Sequence, residues 1–344
     1  MTAILSRTKK WLIALTLSST AGLVCAELAV RAICGSPQVE RLPLMKMRAN
    51  AQRGWEMVPG QVHYTYQQRV AVNSLGLRGR ELAEKRAGER RVLYLGDSLV
   101  YGQGVGDQDT QPAQLERALR ERDPRQDWCV INAGNRSYGT AQELALLAEL
   151  GARLQPDVVL LGWYWNDVDE RGVAQIYAHL ADKGELYFDT GNRLEGRDLV
   201  TWHAKQLLRR SAVVMLLHDL MAPEGNPYSP DYLAKVWLRV ARHLERLRTL
   251  CEALGARPVL VLIPDAHRIG GGGATRAFDE RVTELARTAG VPVIELLPAL
   301  GALYAHTHVL PVLPFDGHYD AAGNRAMAEY LAERLLGLGI VRTE

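Results

Sequence analysis

The sequence predicts an α/β domain built on a parallel sheet, on three observations. From Arg91 onward, short apolar runs alternate with stretches of helical periodicity, the pattern of strands joined by crossover helices. The first run, Val92-Leu93-Tyr94-Leu95, is continuously apolar, as a strand covered on both faces requires. Polar and small residues collect where the runs end, beginning with Gly96-Asp97-Ser98, and open α/β sheets place their sites at the carboxyl ends of their strands. With 344 residues, 47% apolar and 23% charged, the chain can bury a full core in one or two domains. Forty-one basic residues against 39 acidic ones leave a formal charge of +2, so no global field points to nucleic acid or to an acidic polymer.

Three divisions follow along the chain. Arg7, Lys9 and Lys10 precede an uncharged, mostly apolar stretch from Trp11 to Ala26, the layout of an export signal whose basic end stays in the cytoplasm. Leu28, Ala29, Val30, Ala32 and Ile33 extend the run toward the roughly 20 residues of a spanning helix, with Glu27 and Arg31 near the outer interface. The expectation is an uncleaved anchor over residues 1–34; Val24-Cys25-Ala26 also resembles a cleavage site, and cleavage there would make the remainder secreted. Residues 35–89 mix Pro, Arg, Gln and Gly without sustained periodicity and read as a stalk or irregular extension. Within them Asn73-Ser74-Leu75-Gly76-Leu77-Arg78-Gly79 stands out as a turn-forming segment at the domain edge. Residues 90–340 carry the α/β pattern.

In that domain the first strand, from Arg91, is followed by a helix over Pro112 to Arg122 and a second strand over Trp128 to Asn132. A glycine turn from Ala133 to Gly139 leads to an amphipathic helix over Thr140 to Leu154, and a third strand covers Asp157 to Trp165. A long, less regular insertion at about 167–230 includes helical pieces such as Trp202 to Leu220. Asp231 to Leu254 is a strong helix, with Leu233, Val236, Trp237, Val240, Leu244 and Leu247 on one face. Arg257 to Ile263 is the fourth strand, Ala274 to Thr288 a helix, Val291 to Leu296 the fifth strand, and Ala321 to Leu336 the last helix. The four cysteines, Cys25, Cys34, Cys129 and Cys251, lack Cys-x-x-Cys spacing, which argues against a structural zinc site. Cys129 and Cys251 read as buried free thiols, with pairing left open. The glycine run at 270–273 lacks the Lys-Ser/Thr of a phosphate loop.

The strand ends supply the parts of an acyl-transfer site. A serine hydroxyl is a poor nucleophile unless an imidazole takes its proton, and the imidazole needs a carboxylate to hold its tautomer. Ser98 follows the first strand, and Asp316-Gly317-His318 offers the pair just before the final helix. A developing oxyanion needs donors, and Gly134 after the second strand and Asn166 after the third are candidates. His267, after the fourth strand, is the rival base, whereas His306 and His308 read as loop residues. Trp163, Tyr164 and Trp165, with Tyr101 and Tyr138, approach the rim, where aromatics can stack on sugar faces.

Gly96-Asp97-Ser98-Leu99, the Asn132-Ala133-Gly134 turn, Asn166-Asp167 and Asp316-x-His318 together resemble, in order, the four blocks of the SGNH, or GDSL, hydrolase superfamily over about residues 91–337. The 73–79 segment and an anchor ending in Glu27-Leu28-Ala29-Val30-Arg31 further resemble a bacterial membrane-anchored subgroup. The resemblance implies a flavodoxin-like three-layer α/β/α fold with a five-stranded parallel sheet, and a domain facing the periplasm from an inner-membrane anchor. It also implies Ser98 as nucleophile, His318 as base, Asp316 as its orienter, and an oxyanion hole from Ser98 N–H, Gly134 N–H and Asn166. Neither metal nor organic cofactor is implied. Three departures stand out: Asp316 lies two residues before His318 where many members have three, Gly162 lies four before Asn166 rather than two, and Ser137 replaces a second turn glycine. The expected activity is that of an exported serine esterase acting on acyl esters, O-acetyl first among them, possessed by a surface glycan or other acylated small molecule. The alternatives are an O-acyltransferase using the same residues and a non-catalytic glycan-binding or assembly protein of the same fold. No nucleic-acid partner is expected, and the oligomeric state is left open.

Overall fold

The computed structural model describes residues 2–168, 172–221, 229–273 and 275–340. A helix α1 (Thr2–Cys34) comes first, followed by four short strands, β1 (Lys46–Asn50), β2 (Gly54–Met57), β3 (Val62–Thr65) and β4 (Gln68–Ala71). The α/β run begins with β5 (Glu89–Gly96), the one-turn helix α2 (Ser98–Tyr101), α3 (Gln111–Arg122), β6 (Asp127–Gly134), α4 (Thr140–Leu154) and β7 (Val158–Trp163). The excursion that follows holds α5 (Val173–Lys183), β8 (Leu186–Tyr187), α6 (Gly196–Arg209) and α7 (Ala212–Met221). The run then resumes with α8 (Pro230–Leu254), β9 (Arg257–Leu262), α9 (Ala266–Ile269), α10 (Arg276–Thr288), β10 (Val293–Glu295), α11 (Leu297–Thr307) and α12 (Ala321–Gly337).

The five long-range strands form one parallel sheet in the order β10-β9-β7-β5-β6. Successive side chains of a strand point to opposite faces, and each face is covered here. Leu93, Leu95, Val159, Leu161, Leu260 and Leu262 join one core with Leu144 and Leu147 of α4, Val240 and Leu244 of α8, and Val282 of α10. Val92, Tyr94, Val158, Leu160, Val259 and Val261 join the other with Leu115 and Leu119 of α3, Leu300 of α11, and Met327, Leu331 and Leu335 of α12. This is the three-layer α/β/α architecture with a five-stranded parallel sheet. Local sequence starts and stops the helices: Ser229 Oγ accepts from Tyr232 N at 3.2 Å to cap α8, Gly255 ends it at φ +66°, and Asp320 Oδ1 accepts from Gly323 N at 2.9 Å to cap α12.

The chain divides into two compact units. One comprises Glu40–Glu195, Gly225–Leu313 and Gly317–Glu344, the other Met1–Val39, Gly196–Glu224 and Pro314–Asp316. In the first, residues expected as a stalk form instead the β3–β4 hairpin and the β1–β2 pair, and β1 also pairs antiparallel with β8 of the insertion. Trp55, Met45, Met47 and Val70 bury their side chains in the core, which is why this segment belongs to the domain rather than to a linker. In the second unit α1 holds a stretch, Lys9–Cys34, long and apolar enough to cross a membrane. The helical piece expected over Trp202 to Leu220 is two helices, because Ser211 interrupts it and its Oγ accepts from Val214 N at 3.3 Å. The helix expected from Ala274 is described from Arg276; Ala274 lies outside the described residues, as do 169–171 and 222–228 of the insertion. Cys129 and Cys251 are both buried free thiols, and burial pushes the Cys251 thiol up to about 12.

Candidate active site

The site begins where β5 ends. Asp97 caps α2, its Oδ1 accepting from Leu99 N at 2.8 Å, and Ser98 is the first helical residue, half-buried at the carboxyl edge of the sheet. The first N–H groups of a helix have no acceptor within it, so the Ser98 amide points away from the helix body. Gly102 closes the turn at φ +86°. A helix this close to strand ends needs room, and a row of three glycines in register supplies it: Gly96 stands opposite Gly134 of β6 on one side and Gly162 of β7 on the other. A Cβ at Gly134 would lie 2.1 Å from Tyr101 N, and one at Gly96 or Gly162 would lie 2.3 or 2.6 Å from Val100 Cγ2. The glycine at 162 thus has a packing cause.

His318 meets this serine. Its Nε2 lies 2.8 Å from Ser98 Oγ, across 220 residues of sequence. The loop that delivers the imidazole is fixed by Leu313 N donating to His318 O at 2.8 Å, by the Val312–Tyr319 bridge, and by Tyr319 Oη donating to Pro264 O at 2.5 Å. Asp316 precedes His318 by two residues and is half-buried. His267, the rival base, is exposed on α9. Its backbone N–H donates to Asp265 Oδ1 at 2.8 Å.

The expected oxyanion donors are differently disposed. Gly134 N–H donates to Asn132 Oδ1 at 3.0 Å, so this amide is engaged, and the glycine is required by the close approach of α2 instead. Asn132 Nδ2 in turn donates to Tyr101 O at 3.3 Å. Asn166 sits in a 3-10 turn (Trp165–Val168) after β7 and donates through Nδ2 to Asp97 Oδ2 at 3.3 Å, a long bond that an incoming oxyanion can replace. Ser137, where a second glycine was expected, adopts φ +56° and is exposed; the turn keeps the left-handed backbone that glycine would supply without strain.

Beneath Ser98 lie three buried carboxyl groups. Asp97, Glu143 and Asp167 are 1%, 0% and 2% exposed. Both Glu143 oxygens and Asp167 Oδ1 have no hydrogen-bond partner among the described residues, while Asp167 Oδ2 accepts from Tyr164 N at 2.9 Å. Burial, then the Asp97 charge, raises the Glu143 carboxyl well above its usual range, and burial with the Glu143 and Asp97 charges does the same to Asp167. Burial also raises Asp97, against the opposing bond from Leu99 N and the His318 field. Burial and the Asp97 charge thus both favour the protonated form of Glu143.

Two further residues escaped the sequence reading. Arg78, 1% exposed at its side chain, donates to Tyr101 O at 2.9 Å, Gly102 O at 2.7 Å and Val105 O at 2.7 Å, pairs with Asp107, and lies 4.9 Å from the Tyr101 ring centre. His63 on β3 meets Tyr101 Oη through Nε2 at 2.7 Å, and burial lowers its pKa to about 3, so it is neutral. Together they brace the segment immediately after Ser98. The conspicuous 73–79 segment was the available signal, but nothing in its spacing identifies main-chain carbonyls as the partners of Arg78. Of the expected aromatic rim, Trp163, Tyr101 and Tyr138 are buried, while Tyr164 and Trp165 are partly exposed and both donate to Asp265 Oδ2, at 2.9 and 3.1 Å. Among the described residues, no cluster of three or more His, Cys, Asp or Glu is arranged to hold a metal ion.

No curated protein sequence matches the chain. Solved structures similar to it include TesA (19% identity, covering 72% of this chain and 99% of that one, TM-score 0.43). They also include the psychrotrophic esterase EstA from Pseudoalteromonas sp. (12%, 72% and 98%, TM-score 0.43). A third is Axe2, an acetylxylan esterase from Geobacillus stearothermophilus (17%, 74% and 97%, TM-score 0.44). The family model of the GDSL-like Lipase/Acylhydrolase family matches residues 94–326, more than half of the chain, running from within β5 into α12 and taking in Ser98 and His318. With the three-layer sheet and the serine–imidazole contact at its carboxyl edge, this match makes the chain a member of the GDSL-like lipase/acylhydrolase family, the SGNH superfamily, and a carboxylic ester hydrolase.

Proposed function

We propose that the protein is a membrane-anchored, outward-facing serine esterase that removes small O-acyl groups, acetyl above all, from a surface glycan. The observation that carries the catalytic part is the 2.8 Å contact between His318 Nε2 and Ser98 Oγ. In this reading His318 takes the Ser98 proton as Oγ attacks the ester carbonyl, and Asp316 holds the imidazole in the tautomer with Nε2 free to accept. The tetrahedral oxyanion is met by the Ser98 N–H and the Asn166 side-chain amide, and Gly134 contributes by letting α2 approach the sheet rather than by donating. The His318 imidazolium then gives its proton to the sugar oxygen as the C–O bond breaks, so that the sugar leaves as an alcohol, and water activated by the same imidazole releases the acid from the acyl-Ser98 intermediate.

The outward address rests on Arg7, Lys9 and Lys10 before the apolar span of α1, since basic flanks stay in the cytoplasm. The glycan reading is supported by the partly exposed aromatic residues Tyr164 and Trp165 beside Asn166. The test is release of acetate from a chromogenic ester and from an acetylated polysaccharide by the purified full chain. Ser98→Ala should lose about a thousandfold or more in kcat, as removal of a nucleophile does in related chemistry. Wild-type activity retained by that variant would overturn the nucleophile. Acetyl transfer between sugars without release to water would instead make the protein a transferase, and glycan binding with neither reaction would make it a binding module.

A further inference from the structure

We propose that the α6–α7 pair is a second membrane contact, lying in the headgroup region of an anionic bilayer beside the outer end of α1. The proposal rests on the reading of α1 as a membrane anchor. Both helices are amphipathic with their apolar stripes turned outward. On α6, Val200, Leu207 and Leu208 recur at helical spacing and are 69%, 67% and 60% exposed. On α7, Leu217, Leu220 and Met221 are 53%, 73% and 77% exposed. The opposite faces are the buried ones, carrying Trp202 and Gln206 on α6 and Ala212 and Met215 on α7. Isolated exposed leucines need no explanation, but two consecutive helices that expose one continuous stripe each do.

What covers the stripes is indicated by where α7 begins. Glu27, in the last two turns of α1, accepts from Ser211 Oγ at 2.8 Å, Ala212 N at 2.8 Å and Val213 N at 3.2 Å, so a side chain of the apolar helix caps α7. Arg31, one turn further on, pairs with Glu27 at 2.7 Å and donates to Arg210 O. These bonds fix the start of α7 to the end of the apolar stretch, and α1, α6 and α7 belong to one compact unit. The apolar surface of α7 is therefore continuous with the surface of a helix that sits in lipid. Arg197, Lys205, Arg209 and Arg210 outnumber Asp198 and Asp219 on this pair, which suits anionic headgroups, and long basic side chains can reach them from an embedded helix.

The test places the full chain in vesicles of phosphatidylethanolamine and phosphatidylglycerol. Its exposed Cys25 and Cys34 are replaced by serine, and an environment-sensitive fluorophore is attached through Leu17→Cys, Leu208→Cys, Leu217→Cys or Glu121→Cys. Quenching by nitroxide lipids is then read, with melting temperature as the check on folding. Labels at 208 and 217 should lose about half their emission or more to nitroxides placed near the headgroups, as an embedment of about 5–10 Å demands. The label at 17 should be quenched by deep nitroxides, and the label at 121 by neither. Quenching at 17 with none at 208 and 217 overturns the proposal and leaves the anchor standing, whether those labels report water or a dry protein contact. No quenching at 17 removes the anchor and this proposal with it.

Discussion

At the scale of single residues, the contact between Ser98 and His318 follows a pairing that the sequence offers, because few residue types can activate a hydroxyl. The role of Gly134 was not legible, since a glycine after a strand serves a backbone donor and a crowded crossing equally well. The close crossing of α2 is observed at Gly134, and its N–H donates to Asn132 Oδ1. Two predictions belong to this scale. Under the proposed mechanism, Asn166→Ala should lower kcat about 100- to 1,000-fold with little change in KM, because there its amide would act on charge that develops only in the transition state. For Glu143 the sign runs opposite to an ordinary surface carboxylate. Its folded pKa is raised, so its contribution to stability is full below the unfolded carboxyl pKa and is lost as pH rises toward the folded one, where the native state holds a proton the unfolded chain has released. Glu143→Gln should therefore flatten the decline in melting temperature as pH rises above the ordinary carboxyl range, whereas an unchanged slope would mean that Glu143 is ionised in the fold.

At the scale of elements, helices with strong periodicity were read within a residue or two, α4 and α8 among them, because an amphipathic stripe is a local property. The strands β1 to β4 were missed for the converse reason. They are four or five residues long and rich in charged and small groups, and β1 takes its second partner from β8, about 140 residues away. Among them β3 carries His63, and the segment that follows β4 carries Arg78, the two braces on the segment after Ser98. Arg78→Ala should leave the carbonyls of Tyr101, Gly102 and Val105 without their buried donor, lowering kcat well over tenfold while KM changes little; Arg78→Lys, with three donors on one nitrogen, should restore only part. Equal losses in both variants, tracking melting temperature alone, would count against positioning. Gly134→Ala should destabilise the fold by about 1–3 kcal/mol or more, read by denaturant unfolding, because the added methyl meets backbone rather than a side chain able to turn away.

At the scale of the whole chain, length and alternation led correctly to a five-stranded parallel sheet, but the division into anchor, stalk and domain was drawn by composition. By packing, the compact unit that holds the parallel sheet opens at Glu40. A chain started at Glu40 should be better folded than one started at Leu82, which lacks the buried Trp55 and the Arg78 brace; comparable melting temperatures and turnover for the two would show that β1 to β4 are dispensable.

The row of glycines at the strand ends has a consequence for how such an enzyme diverges. Because Gly96, Gly134 and Gly162 each exclude even one carbon atom, and each belongs to a different strand, no single substitution can lift the nucleophile to a new height above the sheet. The platform is a fixed datum, and inheritance can rewrite only what surrounds it. Variation in what the site accepts is then left to the loop beyond Tyr101 and the turn around Ser137.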